Sequence, residues 1–78
     1  MQADSLIRMA NQIGSFFAAM PDREEAVADI AQHLKKFWEP RMRRALLAHV
    51  DEHGADERDD GLSEIVAEAV KTHREMLS

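Results

Sequence analysis

Residues 35–44 read KKFWEPRMRR, and the proline in this stretch decides how many helices the chain can hold. The stretch contains the only tryptophan, one of two prolines and five of the ten lysines and arginines. Proline disfavours helical geometry at the residue before it, here Glu39, yet fits well in the first turn of a new helix. The expectation is therefore a helix ending near Trp38 and another starting at Pro40. One long helix kinked at Pro40 is the alternative.

The flanking text supports two helices. Upstream, Asp22 and Glu25 have the spacing of a capping box, and Glu24 and Glu25 place negative charge at the positive end of a helix dipole. Ala26, Val27, Ile30, Ala31, Leu34 and either Phe37 or Trp38 then supply one apolar face. Lys35 and Lys36 fall in the last turn, where cations are favoured. This predicts a helix over 23–38. Downstream, Met42, Leu46, Leu47 and Val50 continue a helical pattern over 40–53, with Gly54 as its stop. The charged, glycine-bracketed run GADERDDG, 54–61, reads as a solvent loop.

Two more helices complete the chain. Leu6, Met9, Ala10, Ile13, Phe16, Phe17 and Met20 mark a helix over 5–20, capped by Asp4 or Ser5 and ended by Pro21. Gly14, in its middle, costs about 1 kcal/mol relative to alanine, which a close backbone approach would explain. Leu62, Ile65, Val66, Ala69, Val70, His73 and Met76 or Leu77 mark a last helix over 63–77, with Ser63 as its cap. No segment alternates with period two. The expected fold is all-α, a single four-helix domain over 1–78.

Composition narrows the function. The 78 residues include no cysteine, which removes disulfides and suits a reducing cytoplasm. A domain this small buries only about 60–65% of the surface its unfolded chain exposes, so a partner is a common source of added stability. The first residues lack the apolar core of a signal peptide, and no run approaches the roughly 20 apolar residues that span a bilayer. The chain is expected to be soluble, cytoplasmic and free of membrane contact. Its net charge of −5 argues against a general nucleic-acid binder. Charge is uneven, however: residues 35–44 sum to +4, between −3 over 21–34 and −5 over 45–60.

The candidate chemistry is sparse. His49 and His53, four apart on one helix, could face a metal together, but no third ligand follows in a metal motif. There is no Gly-rich phosphate loop, nucleophile elbow or cysteine nucleophile, so no catalytic, cofactor-binding or metal residues are assigned. A helix-turn-helix reading of the basic block fails because its second helix turns acidic at Asp51 and Glu52. What remains is a docking surface of Phe37, Trp38, Pro40, Arg41, Met42, Arg43 and Arg44. Tryptophan and arginine are enriched at interface hot spots. For Trp38, core and interface stay open: if Phe37 follows Leu34 inward, Trp38 lies nearer the boundary.

The text LIRMANQIGSFFAAMPD (6–22), AVADIAQHLKKFWEPRMRRALLAHV (26–50) and GLSEIVAEAV (61–70) resembles the delta subunit of bacterial NAD-dependent, molybdenum-containing formate dehydrogenases. MANQIGSFF and HLKKFWEPRMR are its most specific parts. The resemblance implies a small accessory subunit without a redox centre. It implies partner subunits that carry a molybdenum bis-guanine-dinucleotide cofactor, iron–sulfur clusters and FMN. Docking on the large subunit, through 35–44, is the role expected. A chaperone gripping the molybdenum cofactor with its arginines is the alternative, as is a free-standing helical module that forms homo-oligomers in isolation.

Overall fold

The computed structural model describes residues 3–53 and 61–78. Among these residues the secondary structure is entirely helical: α1 is Ala3–Phe17, α2 Arg23–Phe37, α3 Pro40–His53, α4 Glu64–Thr72 and α5 Arg74–Leu77. The all-α expectation holds, and Pro40 separates two helices instead of kinking one. The expected loop over 54–60, with Gly54 as a helix stop, lies outside the described residues.

Local chemistry accounts for most helix ends. α1 starts at Ala3, so Asp4 and Ser5 sit in its first turn and do not cap it, although Asp4 still complements the dipole. It stops at Phe17, three residues before the expected end. A proline ring clashes with the carbonyl four residues back, and four back from Pro21 is Phe17. The chain then tightens, with the Met20 N–H donating to the Phe17 carbonyl at 3.0 Å. At the start of α2, Asp22 is the expected cap: its Oδ1 accepts from the Glu24 and Glu25 N–H groups at 3.0 and 3.3 Å.

The described helices share one core. α2 lies along α4 and also meets α1 and α5, while α1 packs on α3 and α4. Ile30 and Leu34 of α2, Leu46 of α3, and Val66 and Val70 of α4 are buried at its centre. From α1, the buried residues are Leu6, Ile7 and Ala10. Met9, expected on that face, is exposed, and Ile7 at the other edge of the stripe is buried instead.

Gly14 is where α1 meets α4. A Cβ at this position would lie 2.5 Å from Cγ2 of Val66 and 3.2 Å from Cγ2 of Ile65. The approach that glycine permits is thus to side chains of α4, not to a backbone. One turn earlier, Asn11 holds the segment leading into α4. Its Nδ2 donates to the Gly61 carbonyl at 2.9 Å, and its Oδ1 accepts from the Ser63 N–H at 2.8 Å. This is the donor–acceptor pattern of a peptide group, made by one side chain. Gly61 has φ +76°, a left-handed conformation that glycine adopts without strain. Ser63 is the residue before α4, but its hydroxyl makes no capping bond.

The last helix departs from the expected 63–77. It breaks at His73, whose φ of −113° and ψ of 34° leave the helical region. Neither proline nor glycine causes this. Past the break, α5 points Leu77 into the core and Arg74 at Asp51 on α3. Arg74 Nη1 donates to Asp51 Oδ1 at 2.9 Å, and Nη2 donates to Oδ2. This hydrogen-bonded carboxylate raises the guanidinium pKa above its usual value. Tertiary contacts have overridden local helix propensity here.

The α1–α4 contact is tested by Gly14→Ala. Helix propensity alone would stabilise the variant by about 1 kcal/mol. Val66, however, is fully buried, and a β-branched side chain in a helix has one strongly favoured rotamer, so it has little room to yield. Overpacking costs about 1–3 kcal/mol. Gly14→Ala is expected to lower the melting temperature by several degrees, whereas Ser15→Ala on the exposed side should leave it nearly unchanged. A higher melting temperature for Gly14→Ala would show that α1 and α4 do not meet as described.

Candidate docking surface at the α2–α3 corner

The corner forms because α2 runs out of hydrogen-bonding partners. Pro40 has no N–H to offer the Lys36 carbonyl, and Glu39 is held out of helical geometry by the proline after it. Trp38 is therefore the C-cap of α2, with extended φ −89° and ψ 140°, while its N–H still bonds the Leu34 carbonyl at 3.0 Å. The Glu39 carbonyl then accepts from the Arg43 N–H at 3.1 Å and opens α3.

This geometry decides between core and surface for the two aromatics, a choice the sequence leaves open. Trp38 is only 6% exposed and belongs to the core, whereas Phe37 is 66% exposed. The reason is visible in the spacing of the buried residues. Val27, Ala31, Leu34 and Trp38 are separated by four, three and four, so Trp38 continues the stripe and Phe37 lies off it. Trp38 is thus withdrawn from the free surface.

Arg43 is withdrawn as well. It is 8% exposed, and its Nη1 donates to the Lys35 carbonyl at 3.2 Å. That carbonyl would have accepted from the Glu39 N–H had α2 continued. The guanidinium satisfies an acceptor at the negative end of the helix dipole, a favourable place for a cation. Met42 is half-buried and packs against the core. Of the seven expected docking residues, Phe37, Pro40, Arg41 and Arg44 are exposed, Met42 is partly so, and Trp38 and Arg43 build the corner from within.

The exposed part extends onto α1. Phe16, expected to face the core, is 76% exposed. Its ring packs edge-on against Phe17 at 5.1 Å between centroids, Phe17 lies 6.2 Å from His33, and His33 lies 4.7 Å from Phe37. Lys36 Nζ sits 5.8 Å from the Phe37 ring centroid, within cation–π range. The surface thus joins two exposed rings to the exposed cations Lys35, Lys36, Arg41 and Arg44, with Glu39 as the one carboxylate in the same stretch. The sequence pattern misplaced Phe16 because Phe16 and Phe17 both fit a generous helical stripe. The signal that finds it is Gly14, since the helix side that packs closest admits no ring.

The other candidates are weaker. His49 is half-buried on α3, and the side chain of His53 lies outside the described residues. Among the described residues no three His, Asp or Glu side chains are grouped to hold a metal ion. An open cleft is lined by Asp22, Glu24, Glu25, Glu68 and His73, with Arg23 engaged by Glu68 at 2.6 Å beside it. No described helix is long and apolar enough to cross a membrane.

The family model described as the NADH-dependent formate dehydrogenase delta subunit FdsD matches residues 5–70. The chain belongs to this family. No curated protein and no solved structure matches it. A delta subunit implies partner subunits, and the matched span includes both the Asn11–Gly14 contact and the whole α2–α3 corner.

The division of the corner into inner and outer residues has measurable consequences. Trp38→Ala should cost about 3–5 kcal/mol, a large fraction of the stability of a domain this size. Arg43→Ala leaves the Lys35 carbonyl unsatisfied and should cost about 1–3 kcal/mol. Arg41→Ala and Arg44→Ala should each stay within about 0.5 kcal/mol of the parent in urea unfolding. Equal effects of all three arginine substitutions would contradict this assignment.

Proposed function

We propose that this chain is a non-catalytic accessory subunit of an NAD-dependent formate dehydrogenase complex. It docks on the large, molybdenum-containing subunit and supports assembly, stability or cofactor insertion. The observation that carries the docking role is the α2–α3 corner. A small acidic protein there keeps Phe37 in solvent within a stretch that holds four exposed cations, and Phe16 of α1 is exposed as well. Rings left mostly in solvent add little burial to a domain with little core to spare, and aromatic and arginine side chains are the usual anchors of interfaces.

In this reading the redox groups reside in other subunits: a molybdenum bis-guanine-dinucleotide cofactor, iron–sulfur clusters and FMN. The absence of cysteine supports this, since iron–sulfur clusters are held by cysteine thiolates. The complex works in the cytoplasm. A direct grip on the dinucleotide cofactor is less well supported. The cleft beside α2 is lined by carboxylates that repel phosphate, and Arg43 is engaged with a backbone carbonyl.

The test is co-expression with the formate dehydrogenase subunits of the same organism. The chain is expected to co-purify with the large subunit, and its omission should reduce the yield of assembled complex or its NAD-linked formate oxidation several-fold. A complex of full activity without the chain, combined with no co-purification, would overturn the proposal. Titration of the isolated chain with the molybdenum cofactor should show no binding, since a scaffold has no site for it.

A further inference from the structure

We propose that the two exposed rings and the cations around them form one composite docking surface, and that its occupant is an acidic segment of the partner subunit carrying at least one large apolar side chain. The inference rests on the proposed function for the existence of a partner and adds the chemistry of the contact. It also moves the contact beyond residues 35–44, because Phe16 comes from α1.

Two observations define the occupant. The first is the linked row from Phe16 through Phe17 and His33 to Phe37, an apolar ridge whose two end rings are exposed and whose middle pair is half-buried. A ridge of that kind gains most from burial against an aliphatic or aromatic side chain. The second is charge. Lys36 lies over the Phe37 ring, Arg41 and Arg44 are exposed within the next seven residues of the chain, and Glu39 alone opposes them within that stretch. Arg43 cannot contribute, since it is buried and bonded to Lys35. Cations of one sign around an apolar centre are complementary to carboxylates around an apolar projection.

Other occupants fit less well. A second copy of this chain would meet the surface through a two-fold axis, placing the same cations against themselves. Like-charge pairs of that kind suppress association. Nucleic acid could stack on the rings, but the chain is −5 overall and carries Asp51 and Glu52 further along α3.

The experiment uses the assembled complex. A photoreactive benzoylphenylalanine replaces Phe16 or Phe37, and the cross-linked peptides are identified by mass spectrometry. Both positions are expected to label one region of a formate dehydrogenase subunit that contains several Asp or Glu residues next to a large apolar residue. Separately, Phe16→Ser, Phe37→Ser and the pair Arg41→Glu/Arg44→Glu should each weaken association about ten-fold or more. Their melting temperatures should stay within a few degrees of the parent, because these side chains are exposed. Binding by the parent should weaken as salt rises, and binding by the charge-reversed pair should respond much less.

Cross-links to a second copy of this chain would overturn the inference, as would cross-links to a segment without carboxylates. Tight binding of the isolated chain to a single-stranded oligonucleotide at moderate salt would do the same. If the parent co-purifies and the three variants do so equally well, this surface is wrong while the accessory role stands. If the parent itself never co-purifies, the proposed function fails first.

Discussion

The α2–α3 corner depends on a missing hydrogen. Pro40 cannot donate to the Lys36 carbonyl, and it holds Glu39 away from helical geometry, so α2 must end at Phe37. Three consequences follow from that ending. Trp38 turns in an extended conformation and completes the buried stripe of α2. The Lys35 carbonyl loses its helical donor and is taken by Arg43 from the next helix. Phe37, at the last helical position and off the stripe, is left in solvent. A residue able to donate at position 40 would let α2 continue, and the Lys35 carbonyl would regain its helical donor.

A second constraint operates at the other side of the core. Without disulfides, a chain of 78 residues must pack closely to hold together. Gly14 lets α1 approach α4 to the point where a single added methyl would overlap Val66. Asn11, one turn away, pins the segment entering α4 through both ends of its amide. The residues that give the family resemblance its specificity, MANQIGSFF and HLKKFWEPRMR, therefore contain two of the places where helices are locked together. They also contain Phe16 and Phe37, the two rings that the fold does not use. Buried and exposed residues are interleaved within the same short motifs, which is why a motif alone does not separate them.

Much of the helical layout was legible because its causes are local. The Asp22 cap, the Pro21 and Pro40 boundaries and the apolar periodicity each act within a few residues along the chain. The break at His73 was not legible, because it answers to Asp51 and to the core around Leu77, not to its neighbours. The early stop of α1 lay in between: Pro21 marked an end, but the apolar pattern continued to Met20 and placed that end three residues late.

The sequence by itself determined that this is an all-α protein, that regular helix is interrupted at Pro40, and that positive charge is concentrated there. These are properties of dihedral restriction, periodicity and composition, and they need no knowledge of what packs where. Only the tertiary structure decided which aromatic is core and which is surface. Trp38 against Phe37, and Gly14 against Phe16, are choices about the direction of a side chain relative to a neighbouring helix. That direction is set by steric fit across elements distant in sequence, and by which carbonyls a helix end leaves without a donor.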